Sequence, residues 1–449
     1  MPKKLKILEI AHNKIISDSR VRKYVRSLGA KGKGHEVHIL GINTTEENYH
    51  LDEGQESFKL INFLPLRKKA ITIVKSFFAI SLIFALSLIV ILFSYNFFTA
   101  IYNHVTYFIL IAIFFLLLIF KQSASLRRLL VSFIGPFKKL LSLIIYIKSF
   151  AHELKYFENK GFDVIHVHDH IALLPVLLRK KRFRKAKVIW DAHELYFDSK
   201  TTGLLVSIYF NSLLKFFGTH IDEVFTINDS FKKIYQKKFF KTQPISVIKN
   251  ATNFVSLPKL VKPNTINEQL GTSKKILLFQ GGLSPKRGIE KLIQAASYIN
   301  NDWIIVFMGS GKIVEKVKEA QKKNNNIKHI EPVDKDVLQL WTSSADLGII
   351  PYENTSLNHY YCTPNKLWEF MNSGLPFIAT GLKEIEKFEQ SFNVSFLLPI
   401  NFTAEKIAEM VNSISKNEID LKRKNAISHA SNENWQKYER IFIKRFQTI

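Results

Sequence analysis

The sequence predicts an α/β protein built from two Rossmann-like domains in tandem, with a helical membrane hairpin inserted in the first domain. Three observations predict this architecture. Short apolar stretches alternate with helical patterns along most of the 449 residues, as in parallel sheets with crossover helices. The alternation begins again after residues 256–273, a proline-containing stretch that we interpret as an interdomain linker. The third observation is Ser76–Phe120, an uncharged apolar run that interrupts the first domain.

The first domain is predicted to comprise residues 1–70 and 121–255. It opens with a strand, a helix that Asp18 can cap, and a second strand, the order in which a Rossmann-like domain begins. The predicted strands of this domain are, in order, Lys6–Ala11, Glu36–Gly41, Asp163–Asp169, Lys187–Glu194, Glu223–Asp229 and Ile245–Asn250. Residues 42–70 are polar and carry no assignment. The stretch 138–157 fits either the domain's next helix or an interfacial amphipathic helix.

The uncharged run is too long for one membrane span. As a single helix its 45 residues would extend about 68 Å, over twice the ~30 Å of a bilayer's hydrocarbon core. We therefore predict two spans within residues 71–120, with the turn around Ser94–His104. Basic residues flank the run on both sides, so the positive-inside rule places both ends in the cytosol. A re-entrant hairpin would satisfy the same charges, and a pair of buried core helices is the remaining alternative.

Lysine and arginine dominate the charged residues. The formal net charge is +26, which fits nucleic acid, anionic lipid or a phosphorylated substrate as partner. The hairpin favours lipid, and no basic groove lined with stacking aromatic residues indicates nucleic acid. The densest basic cluster, at 179–187, is either a solvated loop or a membrane-facing patch. Cys362 is the only cysteine, so we expect no disulfide within the chain and a reducing compartment. The first residues lead directly into a strand pattern, so we expect no signal peptide.

The second domain is predicted at 274–430, followed by a C-terminal helix at 431–449. Its predicted strands are Lys275–Gly282, Asp302–Gly311, Asp346–Tyr352 and Leu375–Thr380. Its predicted helices, with the C-terminal one, are 287–299, Asn365–Asn372, 403–416 and 431–446. In open α/β sheets a ligand binds beyond the carboxyl ends of the strands. Two such domains are expected to face each other across a cleft, where those strand ends carry the chemistry.

Two glycine turns follow strands of the second domain. Gly281 and Gly282 precede Arg287 and a helix; backbone N–H groups, a helix N-terminus and one guanidinium can together bind a diphosphate. A tight turn beside an exposed arginine is the alternative. Gly309 and Gly311 follow the next strand, where they either let a planar ring approach the backbone or simply form a turn.

The segment Tyr360–Pro376, YYCTPNKLWEFMNSGLP, carries the strongest site prediction. Asn365, Lys366 and Glu369 lie on one predicted short helix. Its N-terminus at Pro364 can bind phosphate through backbone N–H groups. Glu369 lies one to two turns further on, where its carboxylate can accept both hydroxyls of a ribose.

Together these segments resemble the GT-B glycosyltransferases, and within them the large retaining family 4. The resemblance covers nearly all of both domains and excludes the hairpin. It rests on the segments DSRVRKYVRSL, GHEVHIL, DVIHVHD, WDAHELY, VIKNAT, FQGGLSPKRGIEKLI, MGSGK, SADLGIIPY and PNKLWEFMNSGLPFIAT. The combination is specific, although no single segment is.

Three features depart from the family's pattern. Glu369 matches the second Glu of the family's motif of two Glu separated by seven residues, but Tyr361 stands at the first. In the family that first Glu usually approaches the donor sugar. Gly282 stands at the first position of the family's phosphate-binding Arg and Lys pair, and Arg287 matches the second. The family's glycine pair after the first strand is also absent.

The resemblance implies glycosyl transfer from a nucleotide-diphosphate sugar that the second domain binds, without an obligatory metal or other cofactor. Arg287 and Lys366 would stabilise the departing diphosphate, and His193 resembles the family's histidine that faces the sugar from the first domain. The residues expected on the acceptor side are Asp18, Arg20, Arg22, Asp191 and Glu194. From the sequence alone, the first three fit equally well a helix N-cap and its exposed face.

A group of histidines could suggest a metal site. The residues concerned are His166, His168, Asp169, His170, Asp191 and His193, all near predicted strand ends. We predict no metal here, because histidines held by hydrogen bonds at strand ends are the simpler interpretation. The resemblance singles out His193 alone.

The sequence thus predicts a membrane-associated glycosyltransferase that uses a lipid-linked or polysaccharide acceptor on the cytosolic face, with retention of configuration. Its location would be the inner or plasma membrane, with the catalytic domains in the cytoplasm. A nucleotide-sugar epimerase is one alternative, which would act on a soluble substrate. A catalytically inactive GT-B scaffold in polysaccharide assembly is the other, and Tyr361 argues for it.

Overall fold

The computed structural model describes residues 4–14, 18–29, 33–43, 57–62, 142–183, 185–253 and 265–448. The strands in this part of the chain are β1 (Lys6–Lys14), β2 (Glu36–Asn43), β3 (Ser57–Asn62), β4 (Val164–His168), β5 (Lys187–Ala192), β6 (Glu223–Thr226), β7 (Ile245–Val247), β8 (Lys275–Gln280), β9 (Trp303–Met308), β10 (Ile327–Ile330), β11 (Leu347–Ile350), β12 (Phe377–Thr380) and β13 (Ser395–Leu398).

The α-helices in the same residues are α1 (Ser19–Leu28), α2 (142–153), α3 (Leu173–Arg179), α4 (Ser199–Thr202), α5 (Leu204–Phe217), α6 (Asp229–Lys238), α7 (Thr265–Leu270), α8 (Ile289–Ala295), α9 (Val314–Lys323), α10 (Leu338–Ser343), α11 (Leu357–Tyr361), α12 (Asn365–Asn372), α13 (Lys383–Phe392), α14 (Ala404–Ser413), α15 (Lys416–Ala430) and α16 (Trp435–Gln447).

Contacts between residues divide the chain into two compact units. The N-terminal unit comprises Lys4–Val188 and Thr202–His220. The C-terminal unit comprises Ile189–Thr201 and Ile221–Ile449. Most of β5, and all of β6 and β7, therefore pack with the C-terminal unit.

The N-terminal unit is built on four parallel strands in the order β3-β2-β1-β4. The stretch Ile7–Ala11 of the central strand, β1, is buried because the strand has a neighbour on each side, and Ile7 pairs with Val37 and with Val164. Asp18 caps α1 by accepting hydrogen bonds from the backbone N–H groups of Arg20 and Val21. The cap predicted from the sequence is confirmed.

The C-terminal unit contains a six-stranded parallel sheet in the order β10-β9-β8-β11-β12-β13. The strand order reverses between β8 and β11, and such a switch point opens a crevice at the carboxyl ends of the strands. The buried core beside this sheet includes Phe279, Phe307, Leu292 and Ile407. The parallel strands β6 and β7 and most of β5 also belong to this unit.

The predicted α/β class and parallel pairing are confirmed, and α12 has the predicted bounds. Three strands occupy stretches that carried no strand prediction, β3, β10 and β13. They are only four to six residues long, and β10 and β13 each have two partly exposed central residues, so their apolar pattern is weak. The predicted strand Glu223–Asp229 ends at Thr226, because Asn228 turns out to cap α6.

The predicted membrane hairpin at 71–120 lies outside the described residues. In the part of the chain that the structure describes, no helix combines the length and apolar character needed to cross a bilayer.

Candidate donor site at the carboxyl ends of β8 and β9

The glycine turns after β8 and β9 are packed directly against each other. A Cβ atom at Gly309 would lie 2.0 Å from the carbonyl oxygen of Gly281, and one at Gly311 would lie 2.2 Å from that of Leu283. Both glycines also have positive φ angles, which residues with a side chain rarely adopt. The two turns therefore form one compact backbone surface beside the switch point.

Lys366 lies over the first glycine of this surface. Its Nζ atom would be 2.5 Å from a Cβ atom at Gly281, so the absence of a side chain there makes room for the ammonium group. Lys366 is on the first turn of α12 and is only 9% exposed. Pro364, the N-cap residue, has extended backbone angles and no capping side chain. The N-terminal N–H groups of α12 and the Lys366 ammonium thus place positive charge beside the glycine turn.

Arg287 adds a second cation on the other side of Gly282. Its guanidinium lies 3.4 Å from the Gly282 carbonyl oxygen and 5.2 Å from the centre of the Tyr352 ring. Tyr352 follows β11, so the arginine is held between the two strands that flank the switch point. A rigid guanidinium is well suited to bind phosphate oxygens in pairs.

Glu369 lies one turn beyond Lys366 and is oriented by a buried amide. Gln280 Nε2 donates a hydrogen bond of 2.8 Å to Glu369 Oε2. On its other side, Gln280 Oε1 lies 2.8 Å from the Thr342 hydroxyl. Gln280 and Thr342 are each 1% exposed. The carboxylate is therefore held in place at the end of β8.

The segment around Tyr361, the position of the family's first Glu, is held by hydrogen bonds of two asparagines. Asn228 Nδ2 donates to the Tyr361 carbonyl oxygen at 2.8 Å and to the Thr363 hydroxyl at 2.9 Å. The Asn358 side chain accepts a hydrogen bond of 2.9 Å from the backbone N–H of Leu195. These contacts lie within the C-terminal unit and hold the segment that leads into α12.

The remaining predicted residues of this unit are distributed around β5 and α12. His193 follows β5 and is partly exposed; its Nδ1 atom lies 3.8 Å from Oδ2 of the buried Asp191. Glu194 is exposed, and its carbonyl oxygen accepts a hydrogen bond of 2.6 Å from the Tyr235 hydroxyl. Asn365 accepts one of 2.6 Å from Asn250.

The three predicted acceptor-side residues of α1 belong to the N-terminal unit. Asp18 caps the helix, as described above. Arg20 is only 3% exposed, and its guanidinium lies 5.1 Å from the centre of the Tyr24 ring. Arg22, two residues further along the same turn, is partly buried. The arginine at position 20 is thus packed inside its unit.

Glu9, His166 and His168 form a buried triad in the N-terminal unit. Glu9 pairs with His166 across β1 and β4. Nδ1 of His166 lies 3.0 Å from Glu9 Oε2, and Nε2 of His168 lies 2.7 Å from the same oxygen. The three ligand-type atoms lie within 4.8 Å of one another.

The spacing of the triad is that of hydrogen bonds. Ligand atoms around a tetrahedral zinc ion are separated by about 3.3 Å, since each lies about 2.0 Å from the metal. The distances from the two histidine nitrogens to Glu9 Oε2, 3.0 and 2.7 Å, are shorter than this. They match hydrogen bonds from an N–H group to a carboxylate. Burial by itself raises the pKa of Glu9, but the charge and hydrogen bond of His166, and then those of His168, outweigh it and lower the pKa to about 2. Glu9 is therefore a buried carboxylate stabilised by two imidazoles.

Two family models match the chain, one on each side of the predicted linker. "Glycosyltransferase Family 4" matches residues 116–254, and "Glycosyl transferases group 1" matches residues 274–417, which include all of the donor-site residues on β8, β9 and α12. The protein is a glycosyltransferase with a family 4 domain followed by a group 1 domain.

Similar proteins agree with this assignment. The glycosyltransferase is 27% identical over 133 residues to TuaH of Bacillus subtilis, a protein named for teichuronic acid biosynthesis; the match spans 29% of this chain and 33% of TuaH. Among solved structures, sucrose-phosphate synthase of Thermosynechococcus elongatus superposes with a TM-score of 0.66 at 14% identity, covering 99% of both chains. HepE of Anabaena, solved with UDP and glucose, superposes with a TM-score of 0.62 at 12% identity over 99% of this chain and 100% of its own. These structures share the GT-B fold with the glycosyltransferase.

Sequence reasoning missed the polar residues that support the site. Gln280 was visible as a polar residue at the end of an otherwise apolar strand, and that position could have indicated a buried partner. Thr342 and Asn228 carry no comparable signal, because their partners are distant in sequence. Glu9 was likewise visible as an acid within an apolar strand, but only the pairing of β1 with β4 identifies the histidines that it binds.

Proposed function

We propose that the protein transfers a sugar from a nucleotide-diphosphate sugar and that the C-terminal unit binds this donor. The observation that carries the proposal is the position of Lys366, whose ammonium lies over Gly281 at the N-terminus of α12. Arg287 adds a second cation beside Gly282, and Glu369 provides a fixed carboxylate one helical turn away. A diphosphate next to a ribose has the matching charges and hydroxyl groups.

The two cations also account for the chemistry of the leaving group. When the bond between the sugar and the diphosphate breaks, negative charge builds up on the phosphate oxygens, and fixed positive groups lower the barrier to this step. Lys366 and Arg287 are such groups, so we propose that transfer requires no added metal ion. We further propose that His193 faces the sugar, that Asp191 and Glu194 lie on the acceptor side, and that transfer proceeds with retention.

The acceptor is proposed to be a lipid-linked or growing cell-envelope polysaccharide at the cytosolic face of the membrane. The likeness to TuaH supports a cell-envelope polysaccharide. The uncharged run Ser76–Phe120 with basic residues on both sides supports attachment to a bilayer, with the catalytic units in the cytoplasm. Protease cleavage at Ser94–His104 from the outside of intact cells would support full spanning, and protection of that turn would favour a re-entrant hairpin.

A donor panel tests the proposal. Membranes that contain the protein are incubated with labelled nucleotide sugars, in the presence and absence of EDTA, and the label is followed into lipid-extractable and polymeric products. Lys366→Met and Arg287→Met are each expected to lower the rate of transfer about a hundredfold or more. Lys406→Met is the matched control, because Lys406 is an exposed residue on α14 that pairs with Glu409.

The possible outcomes separate the alternatives. Transfer that is unchanged in both variants would contradict the assignment of the donor site. Binding of nucleotide sugar without transfer to any product would favour an inactive scaffold, and conversion of the free nucleotide sugar to an isomer would favour an epimerase.

A further inference from the structure

Gln280 is the buried polar residue closest in sequence to the donor-site glycines. It is the last residue of β8, a strand whose other residues after Lys275 are apolar. Its side chain is almost completely excluded from solvent. Burying an amide is unfavourable unless both its oxygen and its nitrogen form hydrogen bonds. The hydrogen-bond partners of Gln280 therefore indicate its role.

The orientation of the amide is determined by its two neighbours. The Glu369 carboxylate is only an acceptor, so the NH₂ group of Gln280 must face it. The amide oxygen then faces Thr342, whose hydroxyl lies 2.8 Å from Gln280 Oε1 and 2.7 Å from the Leu338 carbonyl oxygen. The single hydroxyl proton is shared by these two acceptors. Thr342 on α10, Gln280 on β8 and Glu369 on α12 thus form a chain of hydrogen bonds across three elements.

This chain of hydrogen bonds selects one orientation of Glu369. Because Oε2 accepts the N–H of Gln280, the carboxylate cannot rotate without breaking a charge-assisted hydrogen bond inside the protein. Oε1 is then the oxygen that can accept a further donor. A carboxylate that is already oriented loses less conformational freedom when it binds a ligand, which strengthens binding.

We propose that Gln280 is a positioning residue that holds Glu369 ready to accept a ribose hydroxyl of a nucleoside diphosphate. The proposal rests on the donor site described under the proposed function. It assigns to Gln280 a role in recognition of the nucleoside and leaves recognition of the diphosphate to Lys366 and Arg287. The two parts of the ligand should therefore respond differently to a change at position 280.

Gln280→Met tests this separation, because methionine has a similar length and volume but cannot donate a hydrogen bond. Binding of uridine, guanosine and adenosine diphosphates and of inorganic pyrophosphate is measured by calorimetry on the full-length protein. The variant is expected to bind the preferred nucleoside diphosphate about tenfold more weakly and to bind pyrophosphate as the wild type does. In a Glu369→Ala background, Gln280→Met is expected to cause no additional loss, since the residues act as a unit.

Thr342→Val provides a second, milder variant should the methionine variant fold poorly. It removes the hydroxyl that faces Gln280 Oε1 and is expected to weaken nucleoside diphosphate binding in the same direction, again without changing pyrophosphate binding. Equal losses for both ligands, or losses that add in the Glu369→Ala background, would overturn the role of Gln280. A wild-type protein that binds pyrophosphate but none of the nucleoside diphosphates would overturn the proposed function as well.

Discussion

Replacement of Glu9 by Gln should destabilise the N-terminal unit in a pH-dependent manner. The substitution keeps the size of the side chain and removes the charge to which His166 and His168 are hydrogen-bonded. The pKa of Glu9 is lowered from 4.5 to about 2. Each pKa unit corresponds to 1.36 kcal/mol, so the ionised side chain stabilises the folded state by about 3 kcal/mol at pH 7.

The sign of the pH dependence follows from the direction of the shift. Because the pKa is lower in the folded protein than in the unfolded chain, the stabilisation is fully present above pH 4.5 and is lost as the pH falls towards 2. The difference in unfolding free energy between wild type and Glu9→Gln should therefore shrink by about 2 kcal/mol between pH 7 and pH 3.

Urea unfolding followed by two optical signals would measure this effect in the full-length protein. All five tryptophans belong to the C-terminal unit, so their fluorescence reports chiefly on that unit, whereas far-UV circular dichroism reports on both. The loss in Glu9→Gln should be larger in the circular dichroism than in the fluorescence. Glu36→Gln, at a partly exposed acid on the neighbouring strand β2, is the control and should cost below about 1 kcal/mol. A loss in Glu9→Gln below about 1 kcal/mol, or one of equal size at pH 7 and pH 3, would refute the reasoning.

Two further predictions concern the donor site. Gly309→Ala should destabilise the C-terminal unit by about 2 kcal/mol or more and abolish nucleotide binding, because its Cβ atom would lie 2.0 Å from a backbone oxygen. Tryptophan fluorescence during urea unfolding measures the loss of stability. Gly271→Ala is the control, since Gly271 has a positive φ angle but no atom within 4 Å of an added Cβ. Equal losses of unfolding free energy in the two variants would show that backbone strain alone is responsible. Asn228→Asp keeps an acceptor for the N-cap of α6 but cannot donate hydrogen bonds to Tyr361 and Thr363. It should therefore lower the rate of transfer more than tenfold. Asn228→Ala removes the cap as well, so it should also cost about 1 kcal/mol of helix stability. Transfer at the wild-type rate by Asn228→Asp would contradict a role for this residue in holding the loop.

The residues of the candidate donor site could largely be named from the sequence, because its parts follow local rules. A glycine turn after an apolar strand, a cation a few residues later and a helix opened by Pro364 are each determined by neighbouring residues. The structure brings Lys366 over Gly281 and Arg287 beside Gly282, so two predicted groups that lie more than 75 residues apart in the sequence meet at one turn. The parallel order of the strands explains this, because it gathers their carboxyl ends at one edge of the sheet.

By itself, the sequence determined the features that depend on short-range periodicity and capping. They include the α/β class, the bounds of α12, the Asp18 cap of α1 and the general alternation of strands and helices. The tertiary structure alone decided which buried polar groups meet. Glu9 is 157 residues from His166, and Gln280 is 89 residues from Glu369, so no local pattern can specify either pair. Such pairs form because a buried carboxylate or amide must find a hydrogen-bond partner once the strands have paired, and the strand order determines which partners are within reach.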